Sequence, residues 1–421
     1  MASSSPDDVR HDFCFINRLP QETLSEIFTI TYLSIPHSSR TRNPLSLKAL
    51  PRVFSRVDRR WRAIARSTKL IWLDFEITSK NKPTWVSKTA ISSSVKRARA
   101  VLTQWLKLAC AHERDPRGLQ FRFETGLKVS PVDTEILAVL AEYSNHWQRA
   151  CFDIPIRATT VLSPIQGHLS RLESIELDLQ RDMMDEMGEI EHGTRAFPPS
   201  FAAALKHAPK LTRLSCYGFW EDNATIQIDL PFHQLRNVCV VDKYALDCYH
   251  LLRKSARSLE FATITPISID PTAIWPAQLA SGLPVIRLPS LQRLMYLNDH
   301  TETVGIKGGT IFRSLEVPNL RTLILFDQDG RASYHEAFEM LLRSRCRSLK
   351  RLDLRGAYAN AASDTANLLD ITNNSLESLY VDGVLNSLFS QYRMPVALHI
   401  HIHCTSKSVS HHLAEQPGTM G

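Results

Sequence analysis

The feature that most constrains the fold is a short apolar pattern, L-x-x-L-x-L, that returns along much of the chain. It occurs in RLESIELDL (171–179), KLTRLSCYG (210–218), QLRNVCVVD (234–242), SLEFATI (258–264), SLQRLMYLN (290–298), NLRTLILFD (319–327), SLKRLDLRG (348–356) and SLESLYVDG (375–383), with apolar or small residues replacing some leucines. The first position falls at 172, 211, 235, 259, 291, 320, 349 and 376, so successive copies lie 39, 24, 24, 32, 29, 29 and 27 residues apart. HWQRACFDI (146–154), with Trp147 in the first position, reads as an earlier copy, and GLQFRFE (118–124) as one earlier still.

Each L-x-L predicts a strand with alternate residues buried. Helical stretches lie between the strands, among them SFAAALKHAP (200–209), LDCYHLLRKSA (246–256) and SYHEAFEMLLRSRC (333–346). In the last, Phe338, Met340, Leu341 and Leu342 gather the apolar groups. Arg343, Arg345 and Arg347 crowd its end, where cations suit the negative pole of a helix. One strand plus one helix cannot bury itself, but stacked copies can. The expected class is therefore α/β, with parallel strands on the concave face and helices outside. In pattern and spacing the region resembles leucine-rich repeats, whose periods run about 20–29 residues. The resemblance implies a curved solenoid over 97–404 whose strand face binds another protein.

The start of the chain raises a separate question. INRLPQETLSEIF (16–28) predicts a short helix, with Pro20 tolerated in its first turn and Glu22 at the positive end of the dipole. Leu24, Ile27 and Phe28 share one face. So short a helix must pack on something, in this chain or in another. Further on, VFSRVDRRWRAIARSTKLIWLDFEI (53–77) places Val53, Val57, Trp61, Ile64 and Ala65 at helical spacing. The helix breaks at Ser67 and Thr68, and Leu73, Phe75 and Ile77 then alternate. The expectation is a three-helix unit with a polar loop (TYLSIPHSSRTRNP), small enough to need a partner.

The run Leu19-Pro20-x-Glu22-x-Leu24-x-x-Ile27-Phe28, then Val57-x-x-x-Trp61-Arg62-x-Ile64-Ala65, then Leu70-x-Trp72, resembles an F-box. The resemblance implies docking on a Skp-family adaptor, and through it on a cullin scaffold that carries out ubiquitin transfer. Leu19, Pro20, Glu22, Leu24, Ile27 and Phe28, with Val57 and Trp61, would build or support the docking surface. The chain would be a non-catalytic substrate adaptor, a monomer within its complex, with the repeats holding a substrate protein that the sequence does not name. Two features depart from the family pattern. Asp58 stands where the family usually has Cys, which is costly if the position is buried. The loop at 29–44 is long, as in F-box proteins of mushroom-forming fungi.

The expected organisation is a disordered start (1–14), the F-box module (15–77), a Ser/Lys-rich linker (78–96), the repeats (97–404) and a flexible tail (405–421). Within the repeats, Val101, Leu102, Trp105, Leu106 and Leu108 of RARAVLTQWLKL (97–108) predict the first packing helix. With 43% hydrophobic and 22% charged residues the chain has ample material for a core. It has no apolar run of about 18 residues for a membrane span. MASSSPDDVRHDF has no secretory core segment. The eight Cys (14, 110, 151, 216, 239, 248, 346, 404) form no C-x-x-C pair, which suits buried thiols in a reducing compartment, cytosol or nucleus.

Chemical signals are few. Residues 77–112 carry seven Lys or Arg and no acid, which reads as a solvated basic face rather than a nucleic-acid site because aromatic interleaving is poor. In VALHIHIHC (396–404), His399, His401 and His403 share one side of a strand. Such spacing can hold zinc, but a solvent-facing terminal strand needs no metal. The sequence has no G-x-S-x-G, G-x-x-x-x-G-K-[ST], G-x-G-x-x-G or H-E-x-x-H. Gly308-Gly309 reads as a turn, and Glu186 and Glu189 fall in an insertion that reads as a loop. No cofactor, metal or catalytic residue is expected.

Overall fold

The computed structural model describes residues 15–36, 40–78, 91–111, 117–126, 129–165, 167–180, 199–217, 230–267, 283–298, 310–327, 335–355, 375–382 and 399–403. The chain divides into two compact units, Met1–Leu172 and Glu173–Gly421. Both are α/β and built on parallel strands. The expected start and tail segments, Glu186 and Glu189, Gly308 and Gly309, and the side chains of His399, His401 and His403 lie outside the described residues.

The first unit opens with helices α1 (Gln21–Leu33), α2 (Leu50–Val57), α3 (Arg59–Ser67) and α4 (Leu70–Leu73). The last runs directly into strand β1 (Asp74–Ile77). Strands β2 (Leu119–Glu124) and β3 (Trp147–Pro155) follow, and β1–β2 and β2–β3 pair in parallel. Helices α5 (Ile91–Ala109) and α6 (Pro131–Glu142) intervene. Helix α5 starts at Ile91, inside the stretch that reads as a linker, and buries Leu102, Trp105 and Leu106. Helix α6 was not expected, although Ser-Pro-Val-Asp (130–133) carries its signal. The Asp133 N–H donates to Ser130 Oγ at 3.2 Å and the Ser130 N–H donates to Asp133 Oδ2 at 3.1 Å, a reciprocal cap.

Aromatic side chains join the helices of this unit to its strands. Trp72 meets Trp105 edge-on at 4.8 Å, and Phe75 stacks on Phe121 at 5.7 Å. Phe121 in turn meets Trp147 at 5.2 Å. The indole N–H groups of these three tryptophans are satisfied: Trp72 donates to the Ala65 carbonyl (2.7 Å), Trp105 to that of Trp72 (2.9 Å) and Trp147 to that of Leu140 (3.2 Å). At the start of β2 the backbones approach so closely that a Cβ on Gly118 would stand 2.6 Å from the His146 carbonyl oxygen.

The second unit contains strands β4 (Ser174–Gln180), β5 (Arg213–Tyr217), β6 (Asn237–Tyr244), β7 (Phe261–Ile267), β8 (Ile286–Arg287), β9 (Arg293–Asn298), β10 (Leu315–Glu316), β11 (Thr322–Asp327), β12 (Arg351–Arg355), β13 (Ser378–Asp382) and β14 (His399–His403). Its sheet runs β4-β5-β6-β7-β9-β11-β12-β13-β14, with successive neighbours parallel, while β8 and β10 form a separate parallel pair. The described connecting helices are α7 (Pro199–Lys206), α8 (Ala245–Ser255), α9 (Thr310–Arg313) and α10 (His335–Ser344). This is a solenoid-like arrangement of repeated units.

Packing follows the sequence pattern closely. Every first-position leucine is buried: Leu172, Leu211, Leu235, Leu259, Leu291, Leu320 and Leu349 are fully inaccessible, and Leu376 is 7% exposed. Each strand begins two residues later. The residue just before that leucine often ties its repeat to the preceding one. Ser258 donates to the Leu235 carbonyl at 2.8 Å and Ser348 to that of Leu320 at 2.9 Å. Ser290 donates to the Arg257 carbonyl at 3.0 Å. Gln234 and Asn319 do the same with side-chain amides, to Ala208 and Pro289 at 2.7 and 2.8 Å. The recurring S-L-x-x-L is thus a hydrogen-bonding residue followed by a core residue. After α10, Arg345 takes φ 49°, with the Arg345 and Cys346 N–H groups donating to the Leu342 and Leu341 carbonyls. That is a Schellman end, normally closed by glycine.

Candidate docking site on the N-terminal helices

Helix α1 turns Leu24, Phe28 and Tyr32 inward, at i, i+4 and i+8. Phe28 stacks on Phe54 of α2 at 4.2 Å and lies 4.9 Å from the Trp61 ring of α3. Ser25 Oγ and Thr68 Oγ1, 2.8 Å apart, add a polar tie between α1 and the end of α3. A second polar tie lies beneath the helices. Arg42, 2% exposed, bridges to Asp74 Oδ2 at 2.7 Å and donates to the Tyr32 carbonyl at 3.1 Å. Its guanidinium also stands 5.0 Å from the Tyr32 ring. The Tyr32 hydroxyl donates to the Asp74 carbonyl, and burial, with the Asp74 charge, raises its pKa so that it stays a donor. On β1, burial lifts the Glu76 carboxyl to about 7.

The chain between α2 and α3 explains Asp58. The residue is extended (φ −155°, ψ −174°) and half-exposed, and its Oδ1 accepts from the Trp61 N–H at 2.7 Å. It is a helix N-cap, worth about 1 kcal/mol to α3, and carries no burial penalty. The break also resets the helical phase. Val53 and Val57, which the sequence places on one apolar stripe with Trp61, instead face solvent at 41% and 55% exposure, while Pro51 and Phe54 turn inward.

The predicted docking set therefore divides. Leu24 and Phe28 are core residues that support the surface from within. Leu19, Ile27 and Trp61 are half-buried, and Pro20, Glu22 and Val57 are exposed. The Leu19 carbonyl accepts from Arg60 Nη2, which fixes the chain just ahead of α1. Pro20 caps α1 rather than lying in its first turn. The sequence reading omits Ile30 (60% exposed), Leu33 (58%) and Leu47 (51%). Helix α1 continues to Leu33, so the first residues read as loop are helical and carry Ile30 and Leu33, while Leu47 lies in the turn before α2.

Of the nine large apolar residues most exposed among the described residues, five (Ile30, Leu33, Leu47, Val53 and Val57) fall in this short stretch. Scattered exposed leucines are ordinary, but a concentration marks an interaction surface. Exposed Arg56, Arg59, Arg60, Arg62 and Arg66 accompany it on α2 and α3. Burial and the charges of Arg56 and Arg97 lower the Arg52 pKa. The chemistry offered is binding: apolar side chains with basic companions.

No protein-family model and no curated protein matches the sequence. Among solved structures, one match is the crystal structure of the Rad7 and Elc1 complex in yeast. The matched chain is 12% identical, with a TM-score of 0.33, over 81% of this chain and 93% of that one. A likeness of this size carries no functional argument. Among the described residues no helix is long and apolar enough to cross a membrane.

Proposed function

We propose that this chain is an F-box protein that recruits substrates to an SCF-type cullin ubiquitin ligase. In this reading the N-terminal helices dock on a Skp-family adaptor, and the strand face of the repeats holds the target. The observation that carries it is the outward placement of Ile30, Leu33, Val53 and Val57 on α1 and α2, directly after the Leu19-Pro20 start. The core beneath is already filled by Leu24, Phe28, Phe54 and Tyr32, so the unit needs none of the four for its own packing. The basic residues on α2 and α3 favour an adaptor whose facing rim is acidic.

Co-expression with a Skp-family adaptor tests this. Wild type should capture the adaptor, and Val53→Asp/Val57→Asp should lose capture while melting normally, because both positions are exposed. Capture by neither, with both proteins folded, overturns the reading. The runner-up is an adaptor-binding F-box protein that acts outside a cullin ligase. Copurification of a cullin with the captured complex decides between the two.

A further inference from the structure

On β7, β9, β11, β12 and β13 the residues alternating with Ala262, Leu294, Leu323, Leu352 and Leu379 form the opposite face. Across four strand pairings Phe261, Arg293, Thr322, Arg351 and Ser378 stand in register, one row of that face. The next row is Met295, Ile324, Asp353 and Tyr380. Two strand spacings separate Arg293 from Arg351, about 10 Å between their Cα atoms. The two guanidinium groups feel each other: burial and the Arg351 charge lower the Arg293 pKa, and Asp353 opposes them. Asp353 is fully buried, and its Oδ2 lies 3.3 Å from Arg351 Nη2. The Arg351 guanidinium also stacks 4.2 Å above the Tyr380 ring.

Two cations thus share one carboxylate. Within these two rows Asp353 is the only acid. Arg351 Nε is buried and meets no acceptor among the described residues. Thr322 puts a hydroxyl between the two arginines, and Ser378 puts another beyond Arg351. A half-buried guanidinium offers a planar pair of donors that matches a carboxylate.

We propose that this row is an acidic-peptide site: an extended segment of a partner protein lays a Glu or Asp carboxylate between Arg293 and Arg351, with an apolar group over the part-exposed Met295. Within these two rows Asp353 offsets one of the two arginine charges, leaving one positive charge, which a carboxylate matches better than a phosphate dianion. The site rests on the reading of the strand face as the target-binding surface, and names the class of target it takes.

The test is fluorescence anisotropy with the full chain at low salt, using labelled poly-glutamate, poly-glutamine and poly-phosphoserine peptides. Poly-glutamate should bind about tenfold or more tighter than poly-glutamine. Arg293→Gln and Arg351→Gln should each weaken poly-glutamate by a similar factor. Arg321→Gln, which removes the same charge from an exposed position outside the row, should change it less than twofold. Arg293→Lys, which keeps the charge and loses the fork, should fall between, and serves if the Gln variant melts early. Equal losses in all three Gln variants, or binding of poly-phosphoserine without poly-glutamate, overturns the proposal. Adaptor capture is read on the same samples. Weak peptide binding with capture intact sinks this site alone, whereas failed capture by wild type sinks the ligase reading and leaves the peptide result to stand.

Discussion

The N-terminal helices and the repeats use similar amounts of leucine, isoleucine and valine in opposite ways. In the repeats, the leucines at first positions, and Leu294, Leu323 and Leu352 on the strands, are buried to the last few percent. In the helices, the inward stripe is complete with Leu24, Phe28 and Tyr32, and a second set of apolar residues points out. A stack of repeats gives each apolar side chain a neighbour from the next copy. The helices at the start of the chain have no next copy of themselves, and their outward set is the surface assigned to an adaptor in the proposed function. The difference separates residues kept for folding from residues available for binding.

The largest loss of stability is expected from the polar tie under the helices. Arg42→Ala leaves Asp74 without its partner and removes donors from the Tyr32 and Leu33 carbonyls. A loss of about 3–5 kcal/mol is expected, toward the lower end because Asp74 keeps some access to water. Urea unfolding of the full chain, followed by tryptophan fluorescence, measures it. Next is Leu294→Ala in the repeat core, at about 2–5 kcal/mol for transfer and cavity together, read in the same way. Ser348→Ala, which loosens one repeat from the carbonyl of the one before it, should cost about 1 kcal/mol. Faster amide exchange in β12 than in β9 would locate the loss. Smallest is Val57→Ala, which should stay within about 0.5 kcal/mol despite removing an apolar side chain, because the side chain is outside. A loss near that of Leu294→Ala would mean that Val57 is packed, and the comparison would fail.

The repeats were legible in the sequence because their information is local. Each L-x-x-L-x-L contains the turn, the buried anchor and the strand, and even the copies at 146–154 and 118–124 form β3 and β2. The serine before the leucine was visible but its purpose was not, since its partner lies one repeat away. The outward valines were misplaced for a definite reason. Val53, Val57, Trp61 and Ile64 share a stripe only in an unbroken helix, and the extended Asp58 rotates α2 out of phase with α3. Ile30 and Leu33 fall in the stretch from Thr29 that reads as loop but continues α1. The pairing of β1 with β2 depends on contacts between Phe75 and Phe121, far apart in the chain, which no local pattern encodes.

In the proposed function the exposed apolar side chains of the helices bind an adaptor and those of the repeats do not. The most direct measurement is adaptor capture by two matched variants, Ile30→Asp on α1 and Leu342→Asp on α10, at positions 60% and 46% exposed. Neither change should disturb the core, and both place a carboxylate on an apolar surface. The account predicts that Ile30→Asp abolishes capture and Leu342→Asp leaves it at the wild-type level. Capture that survives Ile30→Asp, or is lost equally in both, would contradict it.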